Sequence, residues 1–182
     1  MAIDLVPEAE VSLRLAIHLV TCQLVQSDVS VALDGAQIKT GDIRHFDVPA
    51  FMQAHGWTQD DGSLQWRGAY RCSSCKWAIE VHSRSGCGDV TATLISGALL
   101  IAEAKKGRLQ RCKSSSEYPL LREAIGQLMT LEVVPENAVL AVAVPHGEKF
   151  AELTERWRRA PLLQRAGIRL LTVARTGEVF GW

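Results

Sequence analysis

Apolar and polar positions recur with two different periods along this chain, and the places where the period changes mark its elements. Val11, Leu15, Ile17, Leu19 and Leu24 fit helical spacing and predict a helix over 8–25, with acidic residues at its start that complement the helix dipole. Residues 29–33 alternate as a strand and run into Asp34-Gly35, which predicts a tight turn. Asp47-Val-Pro-Ala predicts a capped short helix with proline early in it, ending at Gly56. Asp60-Asp61-Gly62 predicts a further turn, and Leu64, Trp66 and Tyr70 a strand. Residues 77–82 alternate as a second strand before Gly86-Cys-Gly88 breaks the chain.

After Asp89 the pattern is firmer. Residues 90–95 and 98–104 are apolar runs split by Ser96-Gly97, which predicts a hairpin. Leu121, Ile125, Leu128 and Glu132 mark successive turns of a helix over 117–132, with Ser116 as its cap. The unbroken apolar run 138–144 predicts a strand covered on both faces. A helix is expected over 146–159, interrupted at Pro161 and resumed to Gly167. Residues 168–174 form a last core strand, and Arg175-Thr-Gly177 turns into a short strand at Val179-Phe180. No internal repeat or low-complexity linker divides the chain. The reading is one α/β domain, with a core over 78–182 and an N-terminal α+β elaboration over 1–77 packed on it.

Composition narrows the class. In 182 residues, 47% are hydrophobic and 22% charged, which excludes a disordered chain, a collagen-like repeat and a small disulfide scaffold. The 20 basic and 20 acidic residues cancel, arguing against a protein that coats nucleic acid through bulk charge. The cancellation hides a split. Residues 1–91 carry 7 basic and 11 acidic residues, and residues 92–182 carry 13 and 9. No stretch reaches the roughly 18 to 20 apolar residues of a membrane span, and Asp4, Glu8 and Glu10 stand where a secretory leader would be basic. Cys22, Cys72, Cys75, Cys87 and Cys112 are odd in number and widely spread, as expected of reduced thiols in a cytoplasmic protein.

The candidate chemistry concentrates between Asp89 and Lys105. Along an extended strand, side chains two apart share a face, so Leu99, Ile101, Glu103 and Lys105 lie on one face and Leu100, Ala102 and Ala104 on the other. Both faces are apolar until Glu103, which makes the strand central. Opposite charges at the end of such a strand are costly unless they pair or bind something. Antiparallel pairing within the hairpin brings Asp89 back beside Glu103. Two carboxylates and one ammonium therefore converge at one end of a sheet. The alternative is an ion network with a structural role only.

Asp89, followed after thirteen residues by Glu103-Ala104-Lys105, then a helix containing Ala124-Ile-Gly-Gln-Leu128, an apolar strand, a helix and another strand, resembles the restriction-endonuclease-like PD-(D/E)XK nuclease superfamily over roughly residues 78–175. The resemblance implies a mixed central sheet flanked by helices. It implies that Asp89 and Glu103 bind a metal, Mg²⁺ or Mn²⁺, and that Lys105 is the motif lysine. Gly88 replaces the family's proline before the aspartate. Glu80 is a candidate third carboxylate and metal ligand, as an upstream acid is in many members, or else a solvent-facing strand residue. Gln127 matches a glutamine that several subfamilies place near the active site, or is a helix-surface amide; the tyrosine that accompanies it in one of them is Leu131 here. The implied activity is hydrolysis of phosphodiester bonds, in DNA before RNA, with a homodimer suited to two strands. Mg²⁺ takes hard oxygen ligands and keeps several waters, so two carboxylates and a phosphate oxygen make a typical site. A non-catalytic nucleic-acid-binding or assembly subunit that retains the fold is the alternative.

Lys105, Lys106, Arg108, Arg111 and Lys113 put five basic residues into nine positions after the motif. Such a run is ordinarily a solvated surface, but beside the acid pair Lys106, Arg108, Arg111 and Lys113 are candidate phosphate contacts. Arg156, Arg158 and Arg159 read as surface. Cys72-Ser-Ser-Cys75 has zinc-ligand spacing, which His82, Cys87 or Cys112 could complete, but no second spaced pair exists, and incidental thiols are the preferred reading. His18 is read as packed, His146 as a loop or helix-start residue, and the five tryptophans as packing groups rather than a base-stacking platform.

Overall fold

The N-terminal half of the chain supplies β1 (Leu5–Val6), α1 (Glu8–Thr21), β2 (Val29–Ala32), α2 (Gly35–Ile38), β3 (Lys39–Thr40), β4 (Ile43–Arg44), α3 (Val48–Ala54), β5 (Thr58–Gln59), β6 (Gly68–Arg71) and β7 (Ile79–His82). The C-terminal half supplies β8 (Val90–Thr93), β9 (Leu99–Ala104), β10 (Gly107–Arg108), α4 (Glu117–Met129), β11 (Ala138–Pro145), α5 (Glu148–Trp157), α6 (Pro161–Ala166), β12 (Arg169–Val173) and β13 (Val179–Phe180). The computed structural model describes residues 4–59, 65–84, 86, 88–110 and 116–182.

Nine strands join one mixed sheet in the order β13-β12-β11-β9-β8-β2-β7-β6-β5. The hairpin expected from Ser96-Gly97 forms, with β8 antiparallel to β9 and Gly97 at a φ of 83°. The helix after β9 then allows β11 to return parallel to β9, and β12 parallel to β11, as crossover connections require. Alternation along β9 sends Leu100, Ala102 and Ala104 into a core shared with α1, while Ile101 joins a second core with Leu121, Ala124 and Leu128 of α4 and Phe150 and Leu153 of α5. Helix α1 thus lies on one face of the sheet, and α4 with α5 on the other. β11 is buried between them, as its unbroken apolar run predicts.

Several expectations are corrected. Asp34-Gly35 is not a hairpin turn: the Asp34 carboxylate accepts from the Ala36 N–H at 2.9 Å and caps α2. The neighbours of β2 in the sheet are β7 and β8, supplied by chain much further on, so no strand follows the Asp-Gly pair to make a hairpin. Helix α1 stops at Thr21, short of Val25, because Gln23 adopts a φ of 55° and the Leu24 N–H folds back onto the Leu19 carbonyl at 2.9 Å. Helix α4 ends at Met129 rather than Glu132, and Ser116 makes no side-chain capping bond. Trp66 precedes β6 rather than belonging to it, and Leu64 and the Asp60-Asp61-Gly62 turn lie outside the described residues. His146 precedes α5. The boundary expected at residue 77 marks no structural division either. β2 sits inside the sheet, and α1 packs across β2, β8, β9, β11 and β12. Residues 5–33 are core, and the excursion is the stretch from α2 to β6 that returns as β7.

Among the described residues, no helix is long and apolar enough to cross a membrane.

Candidate active site

The parallel and antiparallel directions of β2, β7, β8, β9 and β11 bring the ends of four strands and the start of β8 to one edge of the sheet. There the register places Val90 opposite Ala102, so the next pair outward is Asp89 with Glu103. Asp89 continues the ladder with its backbone N–H, which donates to the Ala102 carbonyl at 2.9 Å. Its carboxylate then takes the place of a further backbone partner by accepting from the Ala104 N–H at 2.8 Å. Gly88 makes this approach possible. At a φ of 83° it occupies a region that proline's ring forbids, and a Cβ there would lie 2.9 Å from Ile101 Cγ2 and 3.0 Å from the Ala102 carbonyl. The glycine before the aspartate is therefore a requirement of this particular turn.

Glu103 and Lys105 are buried although charged, at 9% and 5% exposure. The Asp89 and Glu103 carboxyls hydrogen-bond each other and sit in the field of Lys105. Burial is the largest influence on both. It pushes Asp89 from 3.8 up to about 6 and Glu103 from 4.5 up to about 7, with the Asp89 charge adding to the rise at Glu103 and Lys105 opposing both. The two carboxyls titrate as one unit, sharing a proton that a cation could displace.

The ammonium of Lys105 is fixed at both ends of its residue. Its backbone N–H donates to the Ala143 carbonyl at 2.9 Å, and its Nζ lies 3.2 Å from Glu123 Oε1 on α4. Glu8 is the third acid that acts on the pair, raising both carboxyls electrostatically from the first turn of α1. A small clasp holds it there: β1 pairs antiparallel with β10, and Asp4 accepts from the Gln110 N–H at 2.8 Å. Reading the sequence alone assigns Glu8 to the helix dipole and gives Glu123 no role. Glu8 could have been found only by knowing that α1 starts beside the segment following Lys105.

The other candidate residues are not gathered into this cluster. Glu80 is exposed and pairs with Arg84 at 2.9 Å; β2 separates its strand from β8. Gln127 is exposed on α4, one helical turn beyond Glu123. Lys106 is exposed, Arg108 lies 3.5 Å from Asp4, and Arg111 and Lys113 fall outside the described residues. Cys72 and Cys75 flank a turn after β6, closed by a Cys75 N–H to Cys72 carbonyl bond of 3.1 Å, while His82 ends β7 at the opposite end of that strand pair. Cys87 and Cys112 are likewise outside the described residues. Among those described, no three His, Cys, Asp or Glu side chains converge as metal ligands. An ion between Asp89 and Glu103 would have to complete its shell with water and substrate oxygens, which is how Mg²⁺ is ordinarily held. On that chemistry the acid pair fits a hard divalent ion and does not fit zinc.

His18 is a half-buried, packed residue, whereas His146 is exposed in the segment that precedes α5. His18 stacks on Trp182 with its Nδ1 3.1 Å from the Gly177 carbonyl, and burial lowers its pKa. His146 lies 2.9 Å from the Thr172 hydroxyl and against Phe180.

Comparison with family models, curated proteins and solved structures finds no match to the chain. The reading of the site rests on its own geometry.

Proposed function

We propose that this chain is a metal-dependent nuclease of restriction-endonuclease-like fold, hydrolysing phosphodiester bonds with Mg²⁺ or Mn²⁺, in DNA before RNA. One observation carries the reading: a buried Glu103, a half-buried Asp89 and a buried Lys105 meet at the end of a central hairpin, and desolvation raises both carboxyls there. The order of hairpin, helix and parallel strand around that pair supports the fold assignment.

In this reading Asp89 and Glu103, once deprotonated, would hold the ion. The bound ion supplies charge neutralisation at the phosphate and a water of lowered pKa. Asp89 is oriented by the Ala104 N–H, so one of its oxygens is already committed and the other is directed. Lys105, held by Glu123, offers its remaining N–H bonds to a nonbridging phosphate oxygen or to the attacking water. Chain residues thus position the phosphate and stabilise charge; the water, losing a proton to solvent, forms the new P–O bond as the bond to the ester oxygen breaks, and that oxygen takes a proton from solvent.

The deciding experiment incubates purified protein with duplex DNA, single-stranded DNA and RNA in Mg²⁺ or Mn²⁺. Cleavage by the wild type, lost in Asp89→Ala and Lys105→Ala with folding retained, is the expected result. Binding without cleavage under every condition would replace this reading with that of a non-catalytic subunit.

A further inference from the structure

The face of the sheet that α4 and α5 cover over β9, β11 and β12 carries short polar side chains over β8, β2 and β7. The register sets them out in rows. Val31 pairs with Val90 and Ala32 with His82, so the row containing Glu103 and Asp89 continues through Ala32 to His82. The next row inward runs Ile101, Thr91, Ser30, Glu80. Among the described residues, the side chain between Asp89 and His82 in this row is the methyl group of Ala32. The result is a trough of about 270 Å³, lined by Ser30, Ala32, Thr91, His82, Arg84 and Gly88, the last of which adjoins Asp89 in the chain.

Its hydrogen bonds have a fixed direction. The Arg84 backbone N–H lies 3.2 Å from His82 Nδ1 and donates to it, so in the neutral ring Nδ1 is the acceptor and Nε2 carries the proton. His82 Nε2 lies 2.7 Å from Ser30 Oγ and therefore donates to it. This polarity excludes a serine nucleophile activated by histidine, because the histidine nitrogen facing Ser30 has no lone pair to take a proton. Instead the Ser30 hydroxyl has its own hydrogen left to donate into the trough. Thr91 adds a second hydroxyl. The Arg84 guanidinium pairs with Glu80 at 2.9 Å, in an exposed pair that costs little to exchange for another anion. The trough is thus lined by donors and seeks an acceptor, and its Ser30–Thr91 row lies two strand residues, about 7 Å, from the Asp89 row along β8. That is the reach of one nucleotide along a strand.

We propose that the trough floored by Ala32 is the subsite for the phosphodiester neighbouring the one that is cut, with the Ser30 hydroxyl as its directed donor. The inference rests on the nuclease reading for the identity of its ligand. Ser30 and His82 would position the strand and take no part in bond breaking. Ala32 is required to be small, since any larger side chain fills the trough.

The experiment uses the full chain and a DNA oligonucleotide whose cut position has been mapped, with single methylphosphonate linkages placed at each position flanking the cut. A methylphosphonate removes the charge and one acceptor oxygen of that linkage. Wild type should show about a ten-fold rise in KM at one adjacent linkage, with kcat unchanged. Ser30→Ala should show the same rise with the natural strand and no further loss with the modified one. Ser30→Thr, which keeps the hydroxyl in a strand-favouring residue, should restore KM, and Ala32→Val should raise it while its own thermal unfolding midpoint stays at the wild-type value. Additive losses in Ser30→Ala, or losses equal at every linkage, overturn the subsite. If the wild type does not cut, the same series is read as binding in Ca²⁺ by fluorescence anisotropy. Non-additive weakening there retains the trough as a phosphate site while ending the nuclease reading, and unchanged binding in Ser30→Ala overturns both.

Discussion

Replacing Glu103 by glutamine should stabilise the metal-free protein at alkaline pH and leave it unchanged in acid. Glu103 is held up near 7 by burial, against 4.5 when exposed, so between those values the folded protein keeps a proton that the unfolded chain has released. Stability is then complete on the acid side and falls as pH rises through 7, because the unfolded state binds fewer protons than the folded one. At about 1.4 kcal/mol per pK unit, the full cost above pH 7 is about 3 kcal/mol. Asp89 shares the proton, so the two carboxyls do not each contribute that amount, and about 2 kcal/mol is the working figure. Glutamine has the shape of the protonated acid, can still donate to Asp89, and never ionises. In EDTA at pH 8 the variant should therefore unfold roughly 4 to 8 °C above the wild type, while at pH 5, just above the unfolded value of 4.5, most of that difference should be gone. Thermal unfolding followed by circular dichroism at both pH values reads this directly. A difference that is the same at pH 5 and pH 8, or a variant less stable at pH 8, would refute the account of a strained carboxyl pair. Adding Mg²⁺ at pH 8 should raise the wild-type midpoint and move that of Glu103→Gln much less, as binding to the folded state alone stabilises it.

Gly88→Ala should lose about 2 kcal/mol or more, since it combines a left-handed φ with a contact of 2.9 Å to Ile101, and chemical denaturation would register the drop in midpoint. Lys105→Met should leave the fold intact by circular dichroism but weaken cleavage at least a hundred-fold in kcat, with binding in Ca²⁺ little changed; retained kcat would remove Lys105 from the reaction. Glu10→Gln should destabilise by about 2 kcal/mol in urea titration, because this buried carboxylate joins Arg14 at 2.9 Å and Arg175 at 3.4 Å, tying α1 to the turn after β12; a neutral effect would show those arginines satisfied without it.

Elements whose partners lie close in sequence were legible from pattern. The hairpin of β8 and β9 and the buried run of β11 each carry their signal within their own residues, by period two or by unbroken apolarity. Asp34-Gly35 misled because the same dipeptide serves a hairpin and a helix cap. The choice belongs to strands β7 and β8, more than forty residues downstream. The place of β2 inside the sheet was hidden for the same reason. Its alternation says strand, and nothing in 29–33 says which strands will flank it.

Chemistry followed the same division. Asp89, Glu103 and Lys105 were readable because one hairpin brings them together, and a hairpin register is fixed by its turn. Glu8, Glu123, Ser30 and His82 reach the same edge from four other elements, so their sequence neighbourhoods describe only a helix start, a helix surface and two ordinary strands. Burial, moreover, is a property of the assembled fold. The Asp89 and Glu103 carboxyls become unlike free acids only once α1 and α4 close over the two faces of the sheet. What looks in the sequence like a short acidic motif is, in the fold, the boundary between a covered half of the sheet and a bare one. A charge pair on the covered side needs a cation, and a row of donors on the bare side needs an anion. Under the proposed function a phosphodiester strand with a divalent ion would satisfy both at once, which is why the trough and the acid pair are more informative together than either is alone.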